Sequence, residues 1–111
     1  MKLSDLDADE TLALVALMTA IVLKDGNVSA EEAEVVPDLI QEIGPDRYQR
    51  SYIVAKERLA DDVSLKAFLG EIRRPDARRL ILDTVARLAR VDGLSDGERA
   101  LLGWVSSTWK G

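Results

Sequence analysis

Residues 12–23 constrain the fold more than any other part of this chain, because every residue in the run except Thr19 is apolar. Apolar side chains recur at helical spacing at Leu14, Leu17, Met18 and Ile21, and further apolar residues occupy the opposite side. A run of this length is too short to cross a bilayer, which takes about 20 residues. The pattern therefore predicts a central, largely buried helix around which the rest of the chain packs.

Start and stop signals define two helices, one before and one after Asp25-Gly26. Asp7 or Asp9 can cap the central helix, since a short acidic side chain accepts a bond from a free backbone N–H. A second helix is predicted to begin after Ser29 and to end at Gly44, which is followed by proline. Pro37 lies inside this second pattern and should kink the helix or split it after residue 36, because proline has no N–H to donate.

Four further helices are predicted downstream. Asp46 can cap the third, residues 61–64 form a polar joint and a second set of caps before a short fourth, Asp76 can cap the fifth, and Ser95 opens the sixth. No segment shows a sustained alternation of apolar and polar residues, which is the mark of a strand. We expect an all-α chain that forms a single compact domain of about six helices.

Composition excludes several kinds of chemistry. The 111 residues are 47% hydrophobic and include no Cys and no His, so thiolate or imidazole catalysis, disulfides, haem ligation and His/Cys zinc sites are excluded. Nothing marks a cleft with a paired acid and base, and we expect neither an enzyme nor an organic cofactor. No basic segment precedes an apolar one at residues 1–5, which favours a cytoplasmic protein.

Charge is distributed unevenly along the chain. Residues 1–46 carry 11 acids against two lysines, whereas residues 47–111 carry 13 basic side chains against nine acids, and the net charge is −5. The acidic half argues against nucleic acid as a ligand and favours cations or basic partners. Six arginines lie in residues 73–90, and we expect this segment and the acidic half to present opposite faces.

The arginine-rich segment has two interpretations. Asp83 lies four residues from both Arg79 and Arg87, a spacing that favours ion pairs along a solvated helix face. The alternative is a site for RNA or acidic lipid, but the segment lacks the interleaved aromatic residues that such sites use. We favour the solvated face.

The chain contains an internal repeat. Residues 16–32 and 83–98 both read as an apolar helix, Asp-Gly, a hydrophobic residue, a Ser cap, a Glu and a second helix. Each unit therefore predicts a helix–turn–helix hairpin of the same design, and two such hairpins should pack as a pseudo-symmetric pair with their turns close together. The second turn is one residue shorter, since six positions separate Asp92 from Glu98 and seven separate Asp25 from Glu32.

This doubled Asp-Gly-x-Val/Leu-Ser-x-x-Glu pattern resembles the tellurite-resistance TerB-like domain family over about residues 10–108. The resemblance implies one all-helical domain across residues 1–111, built from the two hairpins. It also implies a role in stress response. TerB-like domains look to serve in addition as modules of larger assemblies, so we expect a protein partner or a homo-oligomer. Membrane association would then be peripheral and pass through a partner, with no transmembrane segment in this chain.

Oxygen-bearing side chains cluster at both turns, and alternate loop oxygens with a later carboxylate suit hard cations. The resemblance implies that Asp25 with Glu32, and Asp92 with Glu98, hold a divalent metal. The lack of His and Cys favours Ca²⁺, Mg²⁺ or Mn²⁺ over Zn²⁺. The candidate metal ligands are Asp25, Asn27, Glu32, Asp92, Asp96 and Glu98.

The same residues have a purely structural interpretation. Asp25 and Asp92 can accept backbone N–H bonds within their turns, while Glu32 and Glu98 complete capping boxes at the next helices. In that case the chain is a non-enzymatic adaptor or accessory subunit of a larger assembly.

The two tryptophans are assigned different places. Trp104 lies three residues after Leu101 on an apolar helix face and should belong to the core. Trp109, two residues from the end of the sequence, is the candidate for a surface that contacts a partner.

Overall fold

Helices account for the regular structure of the described residues. The computed structural model describes the backbone of residues 2–21, 30–59, 61–92 and 96–110, and the side chains of residues 2–20, 37–59, 61, 63–87 and 99–109. Over these ranges a 3₁₀ turn and six α-helices form, with no strand, and the predicted all-α class is confirmed. The elements are the 3₁₀ turn Leu3–Asp5, α1 (Ala8–Ile21), α2 (Ala30–Ile43), α3 (Pro45–Arg58), α4 (Asp62–Leu69), α5 (Pro75–Asp92) and α6 (Asp96–Lys110).

The central position of α1 is confirmed. Five consecutive side chains, from Ala13 to Leu17, are buried although they point in every direction around the helix. α3, α4, α5 and α6 all pack against α1. None of the helices in the described ranges combines the length and hydropathy needed to cross a membrane.

The two predicted hairpins comprise α1 with α2 and α5 with α6, and their helices are interleaved. The first helices of both, α1 and α5, pack against each other. In addition α2 packs against α5, and α6 packs against α1, so the second helix of each hairpin contacts the first helix of the other. This exchange of contacts is what a pseudo-symmetric pair requires, and it agrees with the two-hairpin design expected from the repeat.

Two helices begin earlier than the sequence analysis predicted. α3 starts at Pro45 after Gly44, whose φ of 105° is the left-handed conformation that glycine adopts most easily. Asp46 therefore lies in the first turn of α3 and is not its cap. α5 likewise starts at Pro75, with Asp76 in its first turn. Proline suits the first helical position, because its φ is already helical and the N–H it lacks would have had no partner there.

Acidic residues cap two other helices as predicted. Asp61 precedes α4, and its Oδ2 accepts a bond of 2.9 Å from the backbone N–H of Ser64. At α1 the cap is Asp7, and the choice between Asp7 and Asp9 is settled by two reciprocal bonds. The backbone N–H of Glu10 donates to Asp7 Oδ1 at 2.8 Å, and the N–H of Asp7 donates to Glu10 Oε1 at 2.9 Å. Asp7 and Glu10 thus form a capping box.

Pro37 does not split the second helix. α2 runs without interruption from Ala30 to Ile43 and contains Pro37 near its middle. Pro37 is exposed, so the backbone hydrogen bond it forfeits is lost on the solvent side of α2. The expectation of a break after residue 36 is therefore wrong.

Both tryptophans pack in or against the core, although Trp109 was expected at the surface. Trp109 is buried, and its indole N–H donates to the carbonyl oxygen of Leu69 at 2.9 Å. Trp104 is half-buried against the core, with the Lys66 ammonium 5.3 Å from its ring centre. The prediction of Trp109 as a partner contact is therefore wrong, because its indole joins the end of α6 to the last carbonyl of α4.

We expect the substitution Trp109→Phe to lower the free energy of unfolding by about 2 kcal/mol, because it removes a buried hydrogen bond and leaves a smaller side chain in the core. Urea denaturation followed by circular dichroism measures the change. Trp104→Phe is the matched control and should cost clearly less, since Trp104 is half-buried and no hydrogen bond of its indole is found in the described part of the chain. Equal losses for the two variants would contradict the role assigned to Trp109.

Candidate functional site

A polar cluster is buried at the start of α1. Glu10 and Thr11 lie in its first turn and are 3% and 1% exposed. Two arginines reach them from elsewhere in the sequence, Arg47 from the first turn of α3 and Arg74 from the residue before α5. The cluster therefore brings the N-terminal ends of three helices to one place.

Glu10 and Arg74 form a bidentate ion pair. Arg74 Nε donates to Glu10 Oε2 at 2.6 Å, and Arg74 Nη2 donates to Glu10 Oε1. The guanidinium hydrogen bond is the main cause of a lowered Glu10 pKa, and the Asp7 N–H and the charge of Arg74 add to it against the opposing effect of burial. The pKa of Arg74 is raised for the same reason. Glu10 is therefore held ionised and accepts three hydrogen bonds, which suits a structural ion pair.

Arg47 makes the second connection of the cluster. Its guanidinium donates to Thr11 Oγ1 at 2.7 Å, to the carbonyl oxygen of Leu6 and, at 3.3 Å, to that of Ser4. Arg74 adds a bond of 3.3 Å to the carbonyl oxygen of Asp5. The two arginines thus hold the segment ahead of α1 against the ends of α3 and α5.

The arginine-rich segment does not form the predicted ion pairs. Arg79, Asp83 and Arg87 are all exposed, and among the described side chains the one ion pair found is that of Arg74 with Glu10. Exposed pairs on a helix contribute little, so this face stays solvated without them. The expected separation of the acidic half from the arginine-rich segment is also wrong at Arg74, which contacts the acidic half directly.

The predicted metal ligands lie outside the part of the chain whose side chains are described. Asp25 and Asn27 fall in residues 22–29, and the distance between the two turns falls outside the described residues with them. Among the described side chains, no three acids come together in a way that could hold a metal ion. For the remaining candidates the structure gives the backbone alone, within α2, α5 and α6: Glu32, Asp92, Asp96 and Glu98.

The helices that lead into the two turns start at the same place. Glu10 in the first turn of α1 is bonded to Arg74, the residue before α5, and the two helices pack against each other. Both therefore lead away from the polar cluster. In the sequence Asp25-Gly26 follows α1, and Asp92-Gly93 begins at the last residue of α5.

Comparison with known proteins identifies the family. The family model described as tellurite resistance protein TerB matches residues 11–108, nearly the whole chain. The chain belongs to the TerB family. No curated protein and no solved structure matches the chain. The TerB match begins at Thr11, so it takes in Arg47 and Arg74 and leaves out the segment that these arginines hold.

Sequence reasoning missed the polar cluster of this TerB domain, although one signal for it was present. Glu10 lies four and seven residues before Leu14 and Leu17, so it extends the buried face of α1 and needs a partner there. Asp7 and Glu10 also have the spacing of a capping box. The partner itself, Arg74, is 64 residues away, and no local pattern selects it from the other arginines.

We expect Glu10→Gln to lower the free energy of unfolding of the TerB domain at pH 7 by about 1–3 kcal/mol, because the amide keeps the cap but loses the charge-assisted bonds to Arg74. Since the folded pKa of Glu10 lies below its ordinary value of 4.5, the ion pair stabilises the fold above that pH. This contribution is lost as the pH falls through the folded pKa. Urea denaturation of wild type and variant between pH 7 and pH 3 measures the difference, which should shrink in acid.

Glu42→Gln is the control, because Glu42 is exposed on α2. It should change the free energy of unfolding by less than about 0.5 kcal/mol across the pH range. A Glu10→Gln deficit that stays constant between pH 7 and pH 3, or one that Glu42→Gln equals, would rule out a stabilising ion pair at Glu10.

Proposed function

We propose that this TerB domain binds a divalent cation at its two Asp-Gly turns and acts, without catalysing a reaction, in the response to tellurite or other chemical stress. The match to tellurite resistance protein TerB supports the stress role. Carboxylate and amide oxygens favour Ca²⁺, Mg²⁺ or Mn²⁺. The proposed ligands are Asp25, Asn27, Glu32, Asp92, Asp96 and Glu98.

The observation that carries this proposal is the pairing of α1 with α5. These helices begin together at Glu10 and Arg74 and pack against each other, and in the sequence Asp25-Gly26 follows α1 while Asp92-Gly93 begins at the last residue of α5. Two helices that begin together and pack against each other favour turns that lie close together, so that the carboxylates of both turns can bind the same cation. The crossed contacts of α2 with α5 and of α6 with α1 support the same arrangement, because α2 and α6 carry the glutamates that follow the turns.

Electrostatics gives the reason for a cation. Carboxylates brought close together repel one another, and a bound cation relieves this repulsion. Capping is the competing explanation, and Asp7 with Glu10 already provides an example of an Asp and a Glu that serve as a capping box. An asparagine caps a helix as well as an aspartate does but brings no charge, so Asp→Asn substitutions distinguish the two explanations.

We expect millimolar Ca²⁺, Mg²⁺ or Mn²⁺ to raise the Tm of the domain. A cation at ten times its Kd stabilises the folded state by about 1.4 kcal/mol, which corresponds to about 5 °C for a domain of this size. The double substitution Asp25→Asn with Asp92→Asn should abolish the rise and, because it removes two of the repelling charges, leave the Tm in chelator at or above that of wild type. Scanning calorimetry in chelator and in each cation makes the measurement.

The matched control is Asp38→Asn with Asp83→Asn, which removes the same charge from exposed positions on α2 and α5. This control should keep the full cation-dependent rise. A wild-type Tm that is the same in chelator and in millimolar cation would refute the metal site. The turns would then be structural, and the adaptor function expected as the alternative would replace it.

A further inference from the structure

The residues ahead of α1, Lys2 to Leu6, form a segment that we call the strap. Its backbone hydrogen bonds are local, from the N–H of Asp5 to the carbonyl of Lys2 at 2.9 Å and from the N–H of Leu6 to that of Leu3 at 3.3 Å. No backbone hydrogen bond joins the strap to a helix within the described part of the chain. The strap is therefore held by its side chains and by side chains that reach it from the helices.

Two kinds of contact attach the strap to the domain. Leu3 and Leu6 are buried, 2% and 3% exposed, and the strap packs against α2. Its carbonyl oxygens accept bonds from arginines, two from Arg47 and one from Arg74. Arg74 also bonds to Glu10. Two of the three hydrogen bonds that the Arg47 guanidinium donates go to the strap, and the third goes to Thr11.

The start of α1 does not depend on the strap. Asp7 and Glu10 satisfy each other's backbone N–H groups, so α1 keeps its cap whether or not the strap is in place. Leu6, which joins the strap to Asp7, has an extended backbone with φ −69° and ψ 140°. The first hydrogen bonds of α1, from the N–H groups of Glu10 and Thr11 to Asp7, involve no strap residue.

We infer that the strap opens as a unit while the six helices remain folded, and that Arg47 is the latch that keeps it closed. Two buried leucines and three hydrogen bonds to carbonyl oxygens are a small share of the interactions that stabilise the domain. Opening the strap therefore costs less free energy than unfolding the whole domain. An open strap exposes Leu3 and Leu6, which are buried in the core when it is closed. The strap precedes residue 11, where the TerB match begins, whereas Arg47 lies within the match.

Amide hydrogen exchange of the full chain, followed by NMR at several low urea concentrations, tests the inference. The amides of Asp5 and Leu6 should exchange through a step that urea barely accelerates, whereas those of Leu14 and Leu17 should exchange through urea-dependent global unfolding. Arg47→Ala should speed exchange at the strap amides at least tenfold relative to any change at Leu14. Amide exchange through opening of the strap is measured on the wild-type chain, without any substitution.

Arg50→Ala is the matched control, since Arg50 lies one turn further along α3 and bonds to the carbonyl of Asp46 in its own helix. It should leave exchange at Asp5 and Leu6 unchanged. Strap amides that exchange in wild type with the same urea dependence as Leu14 would overturn the inference. The inference would also be overturned if Arg47→Ala accelerated amide exchange in the strap no more than in α1. Arg47 would then stabilise the whole fold and not the strap in particular.

Discussion

Burial of α1 on all sides is the constraint on which the rest of this structure depends. A helix with one apolar stripe needs a single layer of cover, but α1 is apolar around nearly its whole circumference and must be enclosed. α3, α4, α5 and α6 pack against it, and α2 contacts α3 and α5 beside it. The second hairpin contributes α5 and α6 to the cover of α1, and α3 and α4 supply the rest.

Enclosing α1 has an electrostatic consequence at its first turn. Glu10 extends the buried face of the helix, and a carboxylate there is tolerated because Arg74 and the Asp7 N–H complete its hydrogen bonds. The bond to Arg74 also fixes where α5 begins relative to α1. The pairing of these helices, on which the proposed cation site depends, therefore starts from one ion pair at the opposite end of α1 from its Asp-Gly turn.

Much of this fold could be predicted from the sequence, because its signals are local. The apolar run of α1 and the caps at Asp7 and Asp61 each follow from neighbouring residues. Helix starts at Pro45 and Pro75 were misplaced because an aspartate one position later looked like the cap. The contacts of Trp109 with Leu69 and of Glu10 with Arg74 join residues 40 and 64 positions apart, and only the packed helices bring them together.

The claim that α1 is enclosed is tested most directly by truncating two of its side chains that point to nearly opposite sides, Val15 and Leu17. We predict that Val15→Ala and Leu17→Ala each lower the free energy of unfolding, by about 1–3 and 2–5 kcal/mol respectively, as measured by urea denaturation. An ordinary one-sided helix would show a loss at one of these positions and almost none at the other. A loss below about 0.5 kcal/mol at either position would contradict the enclosed helix.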